Sequence, residues 1–175
     1  MNQTANYKGR CFCGAVQFTV TSEPELVPYC HCDTCRHWSA GPVNALTLWS
    51  PDNFKVTQGA DNIGAFDKTA ATTNEAGMSN RKWCKTCGGH VFIDHPGMGL
   101  VEIPAALLEG FAFNPAFHVN YQESVLPMPD GLPKFKDLPE AAGGSWKVRH
   151  TARVTSIIGA CSRWFQFFPV RKDVT

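Results

Sequence analysis

Gly9-Arg10-Cys11-Phe12-Cys13-Gly14-Ala15-Val16-Gln17-Phe18-Thr19-Val20-Thr21 joins two signals in thirteen residues. Val16, Phe18 and Val20 alternate with Gln17, Thr19 and Thr21, the period of a half-buried strand. Ahead of them, Cys11 and Cys13 sit in a turn between two glycines, where a backbone that lacks Cβ atoms can bring N–H groups close to sulfur. The stretch predicts a metal-gripping turn that feeds a β-strand.

The pattern recurs along the chain. Leu26 to Cys30 predicts a short strand running into Cys30-His31-Cys32-Asp33-Thr34-Cys35. Lys82-Trp83-Cys84-Lys85-Thr86-Cys87-Gly88-Gly89 has the spacing of a zinc knuckle, with Val91 to Asp94 leaving it as a strand. Val43–Trp49, Phe54–Thr57, Leu100–Ile103 and Phe117–Tyr121 are further strand candidates. Ser50 is a candidate cap for one helical turn, and Pro104 to Gly110 for another. Arg36 to Pro42 reads as a loop or a single helical turn stopped by Gly41-Pro42. Residues 58–80 give no firm assignment, and the proline-rich 127–146 reads as an irregular, wrapped segment. Short strands between turn signals predict a mainly β fold.

Seven of the eight cysteines lie in these three clusters. A closed structural zinc takes four ligands, and a catalytic one takes three and keeps a position open. Seven divides as four and three. Cys11, Cys13, Cys84 and Cys87 are expected to enclose one zinc, stapling residues 11 and 87 across the core. Cys30, Cys32 and Cys35 are expected to hold a second zinc with a vacant corner. A histidine among His31, His37, His90 and His118 is the alternative fourth ligand, although His31 lies between two ligands and should point away. Disulfides are the other reading of the cysteines; the x and xx spacings suit chelation and strain a local bridge.

Three thiolates make the second ion a poor activator of water but a good partner for a soft ligand such as a thiol. A thiol held there is deprotonated at neutral pH and becomes a nucleophile toward an electrophilic carbon such as an aldehyde. The residues therefore point to thiol–aldehyde addition or its reverse. Arg36, one residue past the cluster, is a candidate carboxylate binder or a structural donor to loop carbonyls. His118 is a candidate proton shuttle or a satisfied core histidine. Asp33 and His37 are candidates to orient the zinc thiolates, and Trp38, Trp49 and Phe54 are assigned to the core.

The composition bounds the rest. With 43% hydrophobic residues a core can form, and a net charge of +1 advertises neither nucleic acid nor membrane binding. The balance is uneven. Six basic residues between 147 and 175 face Asp173 alone, a net of +5, which leaves residues 1–146 at −4. The expected organisation is a zinc domain over 1–146 and a basic extension over 147–175. The opening MNQTANYKGRC holds no apolar run, no stretch is long enough to span a membrane, and a cytoplasmic protein is expected.

Gly9-x-Cys11-x-Cys13-Gly14, Cys30-His31-Cys32-x-x-Cys35-Arg36 and Trp83-Cys84-x-x-Cys87-Gly88, in this order, resemble the glutathione-dependent formaldehyde-activating family, which shares its domain with centromere-protein-V-like proteins. Val101-Glu102-Ile103-Pro104-Ala105, Pro115-Ala116-Phe117-His118-Val119 and Asp130-Gly131-Leu132-Pro133-Lys134-Phe135 extend the resemblance over about residues 7–137. It implies an Mss4-like fold of twisted antiparallel sheets. It also implies a structural zinc on Cys11, Cys13, Cys84 and Cys87, a catalytic zinc on Cys30, Cys32 and Cys35, and a carbon–sulfur lyase joining glutathione to formaldehyde as S-hydroxymethylglutathione. Glu123-Ser124-Val125-Leu126-Pro127-Met128 stands where the family often has Glu-Ser-Lys-x-Pro-Trp. The competing expectation is a zinc-stabilised interaction module that uses the basic extension and binds partners salt-sensitively.

Overall fold

The computed structural model describes residues 5–73 and 78–150. The expected basic extension therefore lies, from residue 151 onward, outside the described residues. In chain order the elements are β1 (Asn6–Arg10), β2 (Gln17–Thr21), β3 (Pro28–Cys30), α1 (Asp33–Ser39), β4 (Asn44–Trp49), β5 (Phe54–Gln58), β6 (Ile63–Asp67), α2 (Ala70–Thr73), β7 (Asn80–Cys84), β8 (His90–His95), β9 (Leu100–Pro104), β10 (Phe117–Val119), β11 (Lys134–Phe135) and β12 (Val148–His150). Single 3-10 turns at Pro51–Asn53 and Ala105–Leu107 fall where the sequence predicts helical turns, and Ser50 caps the first by accepting from the N–H of Asp52.

The chain divides into two compact units with interleaved sequence: residues 1–28 with 44–115, and 29–43 with 116–175. In the first, β1, β2 and β5 form a three-stranded antiparallel sheet. Strands β4, β9, β8, β7 and β6 follow one another antiparallel in a second. The alternating stretch pairs as expected, with Val16, Phe18 and Val20 at 0–1% exposure. They pack with Trp49, Val91, Phe92, Val101, Ile103 and Leu108 into one core that also contains Cys11 and Cys84. Trp49 is fully buried, and its indole N–H is satisfied by Thr47 Oγ1 at 2.7 Å.

Gly9 has a reason the sequence did not disclose. A Cβ there would run into the Phe18 ring, so the glycine serves core packing rather than access to sulfur. Gly14 does serve the turn. Its φ of +78° is unfavourable for other residues, and its N–H bonds the Cys11 carbonyl at 3.0 Å.

In the second unit β3 lies beside β10, β10 pairs parallel with β11, and β11 pairs antiparallel with β12. The segment expected to be loop or one turn is a seven-residue helix, α1. It starts earlier than predicted because Cys32 caps it, its sulfur accepting from the Cys35 N–H at 3.2 Å. Ala40, in left-handed conformation, ends it. The architecture is the mainly β one that the resemblance implies, the pairings described above antiparallel apart from β10 with β11, and its cysteines on turns, at strand ends and at the start of α1.

Candidate metal centres

The β1–β2 turn and the β7–β8 turn bring Cys11, Cys13, Cys84 and Cys87 together, all four sulfurs within 4.8 Å of one another. Each turn is built for this. Cys11 N–H bonds the Val16 carbonyl at 3.0 Å, and Cys84 N–H bonds the Gly89 carbonyl at 2.9 Å. Outer donors then face the sulfurs: Val16 N–H to Cys11 at 3.3 Å, Asn62 Nδ2 to Cys84 at 3.4 Å and Gly89 N–H to Cys87 at 3.4 Å. Cys11 and Cys84 are buried while Cys13 is exposed.

The spacing tests the fit to zinc. A tetrahedron with metal–sulfur bonds of about 2.3 Å has sulfur–sulfur edges of about 3.8 Å. Cys11 and Cys13 are 3.7 Å apart, and Cys13 and Cys84 are 3.8 Å apart. These are ligand separations, far beyond a disulfide bond of about 2.05 Å, and all seven described cysteines are free. Without a cation the four thiols conflict. Neighbouring N–H groups of Gly89 and Cys13 hold Cys87 below the usual thiol range. Cys13 gains from the Ala15 N–H, yet the adjacent Cys87 sulfur and burial outweigh it and push it up to about 11. A divalent cation relieves this by favouring thiolate at every position.

Cys30, Cys32 and Cys35 form a second group within the same 4.8 Å limit, and among the described residues no histidine or carboxylate joins either group. Cys30 ends β3 and is buried; Cys32 and Cys35 start α1 and are partly exposed. Asn120 Nδ2 approaches Cys30 Sγ at 3.6 Å, and the Cys35 N–H meets Cys32. Crowding against Cys32 and burial push Cys30 up to about 12 in the absence of a cation. Three sulfurs with no fourth protein ligand fit a metal that keeps a position open.

The remaining candidates fall into place around this cluster. Arg36 donates through Nε to the His31 carbonyl at 3.0 Å and through Nη2 to Asp33 at 3.4 Å, the structural role of its two readings. His37 lies 3.2 Å from the Asp33 carboxylate on the exposed side of α1. His118 is fully buried, with Nδ1 2.8 Å from His31 Nε2 and Nε2 2.8 Å from Asp130 Oδ2, so it is a satisfied core histidine. Lys134, also buried, places its ammonium 2.7 Å from Asp130 Oδ1. From the sequence, Asp130 and Lys134 received no role beside His118. Both stand in the Asp130-Gly131-Leu132-Pro133-Lys134-Phe135 stretch that carries the resemblance, but only the pairing of β10 with β11, His118 opposite Lys134, shows what they contact.

Burial first, then the charges of His118, Lys134 and Arg36, hold His31 down at about 4. Its Nδ1 is buried and finds no partner among the described residues. Asp130 loses by burial, but the Lys134 and His118 hydrogen bonds more than offset this and hold it at about 2.

A mainly β protein with one cysteine foursome and one threesome in ligand geometry defines a class of thiolate-rich metal-binding folds. The model of the glutathione-dependent formaldehyde-activating enzyme family matches residues 6–123, and the chain belongs to that family. It is 27% identical over 82 residues to an uncharacterised lyase of Schizosaccharomyces pombe, covering 47% of this chain and 53% of that protein. It is 29% identical over 91 residues to a candidate glutathione-dependent formaldehyde-activating enzyme of Halomonas elongata, covering 51% of this chain and 56% of that one. The chain thus spans about half the length of the curated relatives it matches. A crystal structure of a Rhodobacter sphaeroides protein superimposes with a TM-score of 0.44 at 25% identity, over 60% of this chain and 90% of that one. No helix among the described residues is long and apolar enough to cross a membrane.

Proposed function

We propose that the protein joins a glutathione-like thiol to a small, formaldehyde-like aldehyde at Cys30, Cys32 and Cys35, acting as a zinc-dependent carbon–sulfur lyase or synthase. The observation that carries the reading is the contrast between the two clusters: four sulfurs in one, three in the other, with no fourth ligand at the second among the described residues. Family membership and the two named relatives support it. Cys11, Cys13, Cys84 and Cys87 hold the structural zinc in this reading.

A zinc ion on the three sulfurs supplies positive charge that favours the thiolate form of an incoming thiol. The chain's part is to hold the cluster open and dry on its inner side. Cys30 is fixed from within by the Asn120 amide, and Cys32 by the N–H of Cys35. The thiolate sulfur then bonds to the carbonyl carbon, the carbon–oxygen π pair moves to oxygen, and the proton given up by the thiol ends there. The product is an S-hydroxymethyl thioether, and the reverse path releases thiol and aldehyde.

The test is metal content and coordination at the threesome, with and without glutathione, alongside exchange NMR of formaldehyde with glutathione. Two zinc ions per chain, a metal–sulfur shell at the threesome that grows by one on adding glutathione, and faster exchange are expected. A closed shell unmoved by thiol overturns the reading.

A further inference from the structure

We propose that Asp130 and His118 are positioning residues for the three-cysteine cluster, acting through His31, which the chain places between Cys30 and Cys32. This rests on the reading that the cluster holds a metal.

Residue 31 is held on every side. Its N–H bonds the Val119 carbonyl at 3.1 Å, and its carbonyl accepts from Arg36. Its ring is fully buried, stacks on His118 at 5.1 Å between centroids and meets the Tyr121 ring edge-on at 4.8 Å. The same stretch supplies Asn120 to Cys30 Sγ, and Glu123, whose carboxylate accepts from the Asp33 N–H at 2.7 Å. Residues 118–134 therefore form a cradle for residues 30–36. Because Cys30 and Cys32 flank residue 31, its backbone angles set the direction from which their sulfurs converge.

Hydrogen-bond direction runs one way through the chain of groups. The Lys134 ammonium only donates, and it occupies Asp130 Oδ1. The Asp130 carboxylate only accepts, so His118 Nε2 carries its hydrogen and Nδ1 is left to accept. His31 Nε2 must then donate, and His31 Nδ1 is left as a bare lone pair. That nitrogen is buried and has no hydrogen-bond partner among the described residues. The directed relay that begins at Lys134 ends at this nitrogen. Outer groups that orient ligands in this way typically change metal affinity by about 10–100-fold when removed.

The experiment uses the full chain loaded with zinc and titrated against a chromophoric chelator that resolves the two sites. Cobalt-substituted protein reports the geometry of each. Asp130→Asn keeps the shape but replaces one acceptor with a donor, so either Lys134 or His118 loses its acceptor. His118→Phe keeps the ring and removes both bonds. Both variants are expected to weaken the three-cysteine site by about 10–100-fold and shift its cobalt spectrum, with the four-cysteine site unchanged. Asp130→Glu should recover part of the loss. Trp146→Leu removes a ring that stacks on Phe135 at 3.6 Å, outside the relay; it should lower the melting temperature and leave the three-cysteine affinity as in wild type. The inference is overturned alone if the wild type binds two metals and either relay variant keeps its affinity within about twofold of it, or if Trp146→Leu loses affinity as far as they do. A wild-type chain that takes up one metal overturns the functional reading with it.

Discussion

Cys13 Sγ and Cys84 Sγ, 71 residues apart in sequence, lie 3.8 Å from each other. The contact ties the β1–β2 turn to the β7–β8 turn, and both turns feed strands of the same core. A metal at this point restrains two distant parts of the chain together, so its binding energy becomes folding energy.

Cys84→Ser should therefore act on stability first. Metal content is expected to fall from two ions per chain to about one, with the melting temperature lowered by ten degrees or more, as several kcal/mol of metal-linked stability disappear. Elemental analysis and calorimetry of the same sample check it.

Cys35→Ser should act on activity first. Cys35 is partly exposed and lies on the short helix rather than in the core. The exchange rate is expected to drop by about 100-fold or more with only a small change in melting temperature, because on the proposed reading the three-sulfur site loses a ligand while the four-sulfur site is untouched.

His95 gives a pH-dependent stability. It is nearly buried, with Nε2 3.0 Å from the buried Glu102 carboxylate and Nδ1 2.8 Å from the Met78 carbonyl. Burial alone would lower its pKa, but the Glu102 hydrogen bond and charge together raise it above the ordinary value. A raised folded-state pKa stabilises fully below the unfolded value of about 6.5 and is lost as pH rises through the folded value. Denaturant unfolding of wild type and His95→Gln should thus show a stability gap that is widest below about pH 6.5 and narrows as pH rises through the raised folded-state value. A gap independent of pH would refute it.

Gly9→Ala tests the packing of the first sheet. The added methyl meets the Phe18 ring inside a filled core, and overpacking of this kind costs about 1–3 kcal/mol. Urea unfolding should show a lower midpoint at unchanged slope.

Which cysteines meet was legible because ligand spacing is local and two pairs and a triplet group most simply as four and three. The β1–β2 hairpin was legible from the alternation of Val16, Phe18 and Val20. Residues 58–80 were not. Strand β6 is made of Ile63, Gly64, Ala65, Phe66 and Asp67, of which Gly, Ala and Asp are poor strand formers. It pairs because Gly64 leaves room for the Trp83 ring across the ladder. The start of α1 was hidden too, since its cap is a cysteine rather than the usual serine or aspartate. The relay from Lys134 to His31 escaped for a third reason. Its members are separated by up to 87 residues at a single bond, and no periodicity links them.

The interleaved path of the chain orders the protein's biogenesis. Cys30, Cys32 and Cys35 leave the ribosome within one six-residue stretch, but the segment that braces them begins at residue 116. The foursome, by contrast, is complete once Cys87 has emerged. On the proposed reading, a nascent chain can thus close its four-sulfur site while the three-sulfur site still rests in an unbraced loop, open to metal exchange until translation delivers His118 and Asp130.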